Sequence, residues 1–134
     1  MNLILDAGNT RLKAAVFTNG ELLHQASFLN ATAAGELKML LQQFQGIKKC
    51  AIASVSAISE EIEELLNSQL YVHRVTSTSK IPFKNLYSTP KTLGVDRIAL
   101  VAAAMSSYPK KNVLVVDAGT CVTYDFLNER GEYL

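Results

Sequence analysis

Short β-rich runs of hydrophobic residues, separated by turn residues, occupy the start of the chain. Asn2–Leu5 and Leu12–Phe17 are two such runs, and the turn-rich segment Asp6–Arg11 between them predicts a hairpin. Asn19-Gly20 is a strong signal for a further tight turn, which leads into a third apolar run at Glu21–Phe28. We therefore expect three consecutive antiparallel strands at this end of the protein.

From Thr32 onwards the spacing of hydrophobic residues indicates helices that alternate with strands. Apolar residues at 33, 37, 40, 41 and 44 lie on one face of a helix, and Gly46 is expected to end it as the C′ residue. Ser59 is expected to cap a second helix, and Val95–Ser107 predicts a third. The strands of this region are predicted at Lys49–Val55, Tyr71–Val75, Val113–Val116 and Cys121–Leu127.

The order of these elements predicts the fold class. Three antiparallel strands followed by β-α-β units indicate an α/β protein with a mixed sheet. Residues 76–90 lack periodicity and are rich in Ser, Thr, Lys and Pro. We expect them to form a long connection of the kind that often carries function.

Composition excludes several classes of protein. The 134 residues are 49% hydrophobic and 19% charged, with a net charge of +1, which is typical of a globular domain and not of a disordered chain. This small net charge disfavours binding to nucleic acid through a broad basic patch. Two cysteines, Cys50 and Cys121, are too few for a disulfide scaffold or a four-ligand zinc site.

The sequence shows no signal for export or membrane insertion. Its N-terminus has no basic segment and reaches a carboxylate at Asp6, unlike a signal peptide. The longest nearly apolar stretch, Ile98–Met105, is too short to cross a bilayer. We therefore expect a cytoplasmic protein that does not associate with membranes.

An internal repeat indicates two related domains. Leu3–Thr10 recurs as Val115–Thr120, each with an apolar strand, an Asp-Ala-Gly turn, a threonine and a second apolar strand. Asp6 and Asp117 lie 111 residues apart, too far for a solenoid repeat of ~20–50 residues. We expect a first domain over residues 1–112 and the opening hairpin of a second, incomplete domain over residues 113–134. An isolated hairpin is marginally stable, so it either docks onto other structure or belongs to a longer protein.

The Asp-Ala-Gly turns carry residues suited to binding a phosphorylated nucleotide. Glycine lets backbone N–H groups approach an anion, and Arg11 or Lys13 adds positive charge. Asp6 would repel phosphate unless a cation lay between them, which indicates Mg²⁺. The alternative is an ordinary hairpin in which the aspartate forms an Asx-turn, and it stays open for Asp6 or Asp117 taken alone.

Three motifs together resemble the type III pantothenate kinases. They are Asp6–Arg11, Gly94–Arg97, and Asp117–Thr120 followed by Thr123 and Asp125, in the family's order and context. The resemblance runs from Met1 to Leu134 and implies the acetate and sugar kinase, Hsp70 and actin superfamily, whose two ribonuclease-H-like domains close over ATP. Family members continue into the rest of the second domain, so this chain is expected to lack half of the ATP site.

The resemblance also implies a role for each matching residue. Asp96 corresponds to the acceptor of the proton from the substrate hydroxyl, and Arg97 would bind the substrate's carboxylate or the transferring phosphoryl group. The ATP-binding set is Asp6, Ala7, Gly8, Asn9, Thr10, Arg11, Leu12, Lys13 and Thr120. The substrate-binding set is Tyr87, Gly94, Val95, Asp96 and Arg97. Asp117 would bind a monovalent cation, K⁺ or NH₄⁺, and Asp6 would lie near Mg²⁺.

The function that the resemblance implies is phosphorylation of pantothenate by ATP, the first step of coenzyme A biosynthesis, in a homodimer. This chain alone is expected to be weakly active or inactive. Two alternatives remain open. One is a non-catalytic transcriptional activator, as some members of the family have been described, although the small net charge and the lack of a helix-turn-helix signature speak against direct DNA binding. The other is a kinase of the same superfamily that acts on another small acceptor.

Overall fold

The chain folds into two compact units, Met1–Val75 and Thr76–Leu134. The structure is a computed structural model that describes residues 1–119 and 121–134. Each unit contains one mixed sheet and at least one helix, which confirms the expected mixed α/β class. The boundary at Val75 reflects packing, whereas the boundary expected after Asn112 rests on internal sequence similarity, so the latter stays a prediction.

The first unit is a five-stranded mixed sheet with two helices. Its elements are β1 (Asn2–Ala7), β2 (Arg11–Thr18), β3 (Glu21–Leu29), α1 (Ala33–Gln43), β4 (Lys49–Ser54), α2 (Glu60–Gln69) and β5 (Tyr71–Arg74). The strand order is β3-β2-β1-β4-β5, antiparallel from β3 to β1 and parallel from β1 to β5. This order confirms the predicted series of three antiparallel strands followed by β-α-β units.

Local sequence explains why these elements form where they do. Asn19 and Gly20 adopt positive φ values of 50° and 85°, as a two-residue hairpin turn with the twist of its strands requires. The Ser59 hydroxyl accepts a hydrogen bond from the Ile62 N–H at 3.4 Å and so caps α2. One face of the sheet packs against both helices, whose central side chains, Leu37 and Leu66, are fully buried.

The second unit is a four-stranded sheet with one helix. Its elements are β6 (Lys84–Asn85), a short 3-10 helix (Pro90–Thr92), α3 (Val95–Ser107), β7 (Val113–Ala118), β8 (Val122–Leu127) and β9 (Glu132–Tyr133). The strand order is β6-β9-β8-β7, and α3 packs on β7 and β8. The predicted helix over Val95–Ser107 is confirmed. Within the described part of the chain, every helix is too short or too polar to cross a membrane.

Two features differ from the sequence-based expectation. The strand β6 lies in the segment expected to be a long connection, and no strand was expected at β9; the two pair through Lys84 with Glu132 and Asn85 with Tyr133. The predicted role of Gly46 is wrong, because α1 ends at Gln43 with Phe44 as its C-cap, so Gly46 is not the C′ residue, and it does not adopt a positive φ. A Cβ on Gly46 would instead lie 3.2 Å from the Met1 Cε, so glycine leaves room for that side chain.

Replacing a buried residue of α1 should destabilise the protein far more than replacing an exposed one. Leu37 is fully buried, and Leu37→Ala should lower the free energy of unfolding by about 2–5 kcal/mol because it leaves a cavity. Met39 on the same helix is 58% exposed, and Met39→Ala should change the free energy of unfolding by less than ~0.5 kcal/mol. Urea denaturation followed by circular dichroism measures both, and equal losses would contradict the assigned orientation of α1.

Candidate functional site

The loop between β1 and β2, together with the strand ends on either side of it, carries eight of the nine residues predicted to bind ATP. The Gly8 N–H donates to the Arg11 carbonyl at 3.0 Å, so residues 8–11 form a closed turn. A Cβ on Gly8 would lie 3.3 Å from that carbonyl oxygen, which a glycine avoids. The side chains of Ala7 and Leu12 are buried in the core, so these two residues can offer a ligand only their backbone groups.

Charged side chains stand beside this turn. Asp6 and Lys13 are paired residues of β1 and β2, and the Lys13 Nζ lies 3.3 Å from the Asp6 Oδ2. Both are exposed, and they line an open groove of about 450 Å³ across β1, β2 and β3. Arg11 donates from Nε to the Ser27 hydroxyl and from Nη2 to the Ser27 carbonyl, both at 2.8 Å. Arg11 is therefore tied to β3, whereas Lys13 remains open to an anion.

The carbonyl groups of the same turn are held by two residues that the sequence motifs did not include. The Asn30 Nδ2 donates to the carbonyls of Gly8 at 3.1 Å and Asn9 at 3.0 Å. The Asn30 backbone N–H donates to the Thr10 carbonyl at 3.1 Å. The Ser56 hydroxyl, which follows β4, donates to the Gly8 carbonyl at 3.2 Å. Three successive carbonyls of the turn are thus engaged within the protein.

The first turn of α3 holds the predicted proton acceptor, Asp96. Its carboxylate is partly buried, and Oδ1 accepts a hydrogen bond from the Arg97 N–H at 2.9 Å. Gly94 is the N-cap of α3, and a Cβ there would lie 2.3 Å from the Asp96 Oδ1. Any side chain at position 94 would displace this carboxylate, which explains the glycine. Carboxylates near a helix N-terminus are stabilised by the helix dipole, so the position suits an acid.

The Arg97 side chain joins residues from three parts of the second unit. Its Nε and Nη2 donate to the Asp125 Oδ1 at 2.9 and 2.5 Å. Its Nη1 donates to the Tyr87 hydroxyl at 3.3 Å, and its Cζ lies 5.1 Å from the centre of the Tyr87 ring. The structure therefore brings Tyr87 next to the Gly94–Arg97 segment, as a common binding role for them requires.

Asp125 is the buried centre of this arrangement. It is 1% exposed, and its hydrogen bond is the main reason that the pKa of Arg97 lies above its ordinary value. The Tyr133 hydroxyl also donates to the Asp125 Oδ1. Burial, and then this hydrogen bond, raise the pKa of Tyr133 well above its ordinary value, so the phenol stays a donor at neutral pH. The Tyr133 ring stacks on Tyr87, with ring centres 5.8 Å apart.

Two polar atoms on the same face of β8 have no hydrogen-bond partner among the described residues. They are the Thr123 Oγ1 and the Asp125 Oδ2, and both are buried. Thr123 is paired across the strands with Asp117, whose side chain is exposed near the end of β7. Thr120, the predicted second ATP contact, lies outside the described residues.

The acidic side chains of the described residues do not form a self-contained metal site. No group of three or more His, Cys, Asp or Glu side chains that could hold a metal ion occurs in residues 1–119 and 121–134. Asp6 nevertheless fits Mg²⁺ held mainly by nucleotide phosphates, because such an ion usually takes one or two carboxylates from the protein. Asp117 contributes one exposed carboxylate.

Comparison with known proteins agrees with these motifs. The family model described as type III pantothenate kinase matches residues 2–134. The chain belongs to the type III pantothenate kinase family. A type III pantothenate kinase of Christiangramia forsetii is 45% identical over 134 residues, which cover 100% of this chain and 55% of that protein. One of Flavobacterium psychrophilum is 42% identical over 133 residues, which cover 99% of this chain and 55% of that protein. The chain therefore spans about half the length of the curated pantothenate kinases that it matches.

Solved structures support the fold. A Cytophaga hutchinsonii protein assigned as a sugar kinase is 15% identical, with a TM-score of 0.53, over 100% of this chain and 49% of that chain. A Campylobacter jejuni protein assigned to the Baf family of transcriptional activators is 22% identical, with a TM-score of 0.52, over 98% of this chain and 51% of that chain. At these identities the likeness shows the fold alone.

Four residues that support the candidate sites of this chain were given no role by the sequence analysis. They are Asn30, Ser56, Asp125 and Tyr133. Asp125 was part of the third motif but was assigned no role; in the alternating pattern of β8 it lies two positions after Thr123 and two before buried Leu127. Asn30 directly follows β3, and only the pairing of Arg11 with Leu29 places it opposite Thr10.

Neutralising Asp125 should destabilise the protein strongly. Asp125→Asn leaves the Arg97 guanidinium, whose side chain is 22% exposed, without its counter-charge. Removing one partner of a buried ion pair costs about 3–5 kcal/mol, and the partial exposure of Arg97 places the expected loss at the lower end. Glu132→Gln is the matched control, since its partners Lys84 and Arg130 are largely exposed, and it should change stability little. Chemical denaturation of both variants gives the comparison, and equal stabilities would contradict the buried pair.

Proposed function

We propose that the protein is an ATP-dependent kinase that phosphorylates pantothenate to 4′-phosphopantothenate, the first step of coenzyme A biosynthesis. The observation that carries the proposal is the placement of Tyr87, Gly94, Asp96 and Arg97 together at the N-terminus of α3 in a chain whose residues 2–134 match this family. Because the chain spans about half the length of its relatives, the activity is proposed for the whole protein, in which these residues supply part of the site.

Asp96 is proposed to accept the proton of the substrate hydroxyl. Phosphoryl transfer depends on positioning and charge neutralisation more than on covalent chemistry by the protein. A carboxylate that orients a primary alcohol can accept its proton while the oxygen attacks the γ-phosphate. Gly94 leaves the space that the Asp96 Oδ1 occupies, so the backbone at the start of α3 sets the position of the base.

Arg97 and Tyr87 are proposed to contact pantothenate as a unit. Arg97 has five N–H donors, and those of Nε and Nη2 point at Asp125. This edge of the guanidinium is used within the protein, so it cannot grip a carboxylate in bidentate fashion. We expect the substrate to meet the Nη1 edge beside the Tyr87 hydroxyl instead.

The β1–β2 turn is proposed to bind the phosphates of ATP. Lys13 supplies an exposed positive charge, and the backbone N–H groups of Asn9 and Thr10 have no acceptor among the described residues. Asp6 would hold Mg²⁺, which would neutralise phosphate charge when bound. Asp117 is proposed to bind K⁺ or NH₄⁺ through its exposed carboxylate, and Thr120 to contact ATP.

Further parts of the proposal rest on the family resemblance. They are ribonuclease-H-like domains of the actin-type superfamily, a homodimeric state and a cytoplasmic location. The strand order β3-β2-β1-β4-β5 of the first unit supports the first of these, because it places three antiparallel strands beside two parallel ones.

Asp96→Asn should lower kcat for pantothenate by about 10²–10⁴-fold, because the amide cannot accept the proton. The assay follows ATP- and Mg²⁺-dependent phosphorylation by the complete gene product. Glu61→Gln is the matched control: Glu61 is an exposed acid in the first turn of α2, so a helix-dipole role alone would affect both variants alike.

Two results would overturn parts of this proposal. Retention of most of the activity by Asp96→Asn would remove Asp96 as proton acceptor. Phosphorylation of another small alcohol or acid, with none of pantothenate, would assign the protein to a different kinase of the same superfamily.

A further inference from the structure

The geometry points to Asn30 as a positioning residue of the β1–β2 turn, which holds the turn's carbonyls so that its amides face a bound phosphate. This inference rests on the proposed nucleotide site. Asn30 lies outside every motif of the family resemblance. It follows β3, and its place opposite Thr10 is set by the pairing of β2 with β3, in which Arg11 faces Leu29.

The Asn30 side chain donates hydrogen bonds to two adjacent carbonyls of the turn. The Asn30 Nδ2 lies 3.1 Å from the Gly8 oxygen and 3.0 Å from the Asn9 oxygen, so both of its hydrogens have acceptors. The backbone N–H of Asn30 adds the Thr10 oxygen at 3.1 Å. The Ser56 hydroxyl holds the Gly8 oxygen from the side of β4, at 3.2 Å.

Because the peptide group is planar, these carbonyl contacts also fix the direction in which the neighbouring N–H groups point. In a planar trans peptide the C=O of one residue and the N–H of the next point in opposite directions. No cis peptide bond occurs in the described residues. Since the Gly8 and Asn9 oxygens point towards Asn30, the N–H groups of Asn9 and Thr10 must point away from it. Neither amide donates to another group among the described residues.

Two successive N–H groups that face the same way form a concave donor pair suited to a phosphate oxygen. Backbone donors that are fixed before the ligand arrives bind more tightly, because no ordering cost is added on binding. Without Asn30 the Gly8 and Asn9 oxygens could rotate to the open side and repel an anion. Asn30 therefore acts on nucleotide affinity without touching the nucleotide itself.

The test uses the complete gene product with the affinity for Mg·ATP measured by calorimetry, which needs no acceptor substrate. Asn30→Ala should weaken Mg·ATP binding about tenfold, the effect expected from losing the two side-chain hydrogen bonds that orient the turn. Ser56→Ala removes one hydrogen-bond donor to the Gly8 carbonyl oxygen and should weaken Mg·ATP binding less, by about two- to threefold. The KM for pantothenate should stay within about twofold of the wild-type value in both, since the Asn30 and Ser56 side chains bond to the carbonyls of Gly8 and Asn9 and to no residue proposed to bind pantothenate.

Asn112→Ala is the matched control for general destabilisation. The Asn112 Oδ1 accepts the Glu129 N–H at 3.0 Å in the second unit, so its loss should lower stability without changing Mg·ATP affinity. Asn30→Gln keeps the amide and should recover part of the affinity lost in Asn30→Ala, which a purely structural role does not predict.

The outcomes separate this inference from the proposed function. Unchanged Mg·ATP affinity in Asn30→Ala, or affinity that falls only in step with stability across all variants, would overturn the role of Asn30. Asn30-dependent Mg·ATP binding in a protein that does not phosphorylate pantothenate would leave this role standing and overturn the proposed substrate.

Discussion

A buried carboxylate requires a cation, and in residues 76–134 this requirement joins Asp125 to Arg97. Asp125 is 1% exposed, and leaving it unpaired would cost several kcal/mol, so the guanidinium is drawn onto it. Arg97 follows Asp96 in the first turn of α3, and the contact with Asp125 holds its guanidinium over the Tyr87 ring. The arrangement proposed to bind substrate thus depends on Asp125, a buried residue that has no proposed contact with the substrate.

In the first unit, uncharged groups orient the proposed binding residues through internal hydrogen bonds. Backbone carbonyls at the β1–β2 turn need donors, and Asn30 and Ser56 supply them from two different strand ends. Because these carbonyls point towards Asn30, the N–H groups of Asn9 and Thr10 point to the opposite side of the turn. In both units, polar atoms that are paired within the protein orient the groups that remain open to a ligand.

Local sequence patterns predicted most of this fold because most of its elements have a local cause. The Asn19-Gly20 turn and the helix Val95–Ser107 each depend on neighbouring residues, and both were found. The strands β6 and β9 have two residues each and depend on each other across the chain, so no periodicity marks them. The candidate sites show the same dependence on contacts between distant residues. A local motif predicts Asp96, whereas the contribution of Asn30 can be inferred only after the strand pairing is known.

The account's central claim is that nucleotide and pantothenate bind to two different, defined sets of residues. Amide chemical shifts of the ¹⁵N-labelled complete gene product test it most directly, first with Mg·ATP and then with pantothenate. The account predicts that Mg·ATP shifts the amides of Asn9, Thr10 and their neighbours, and that pantothenate shifts those of Tyr87 and residues 94–97. Shifts confined to other segments, or none with either ligand, would contradict it.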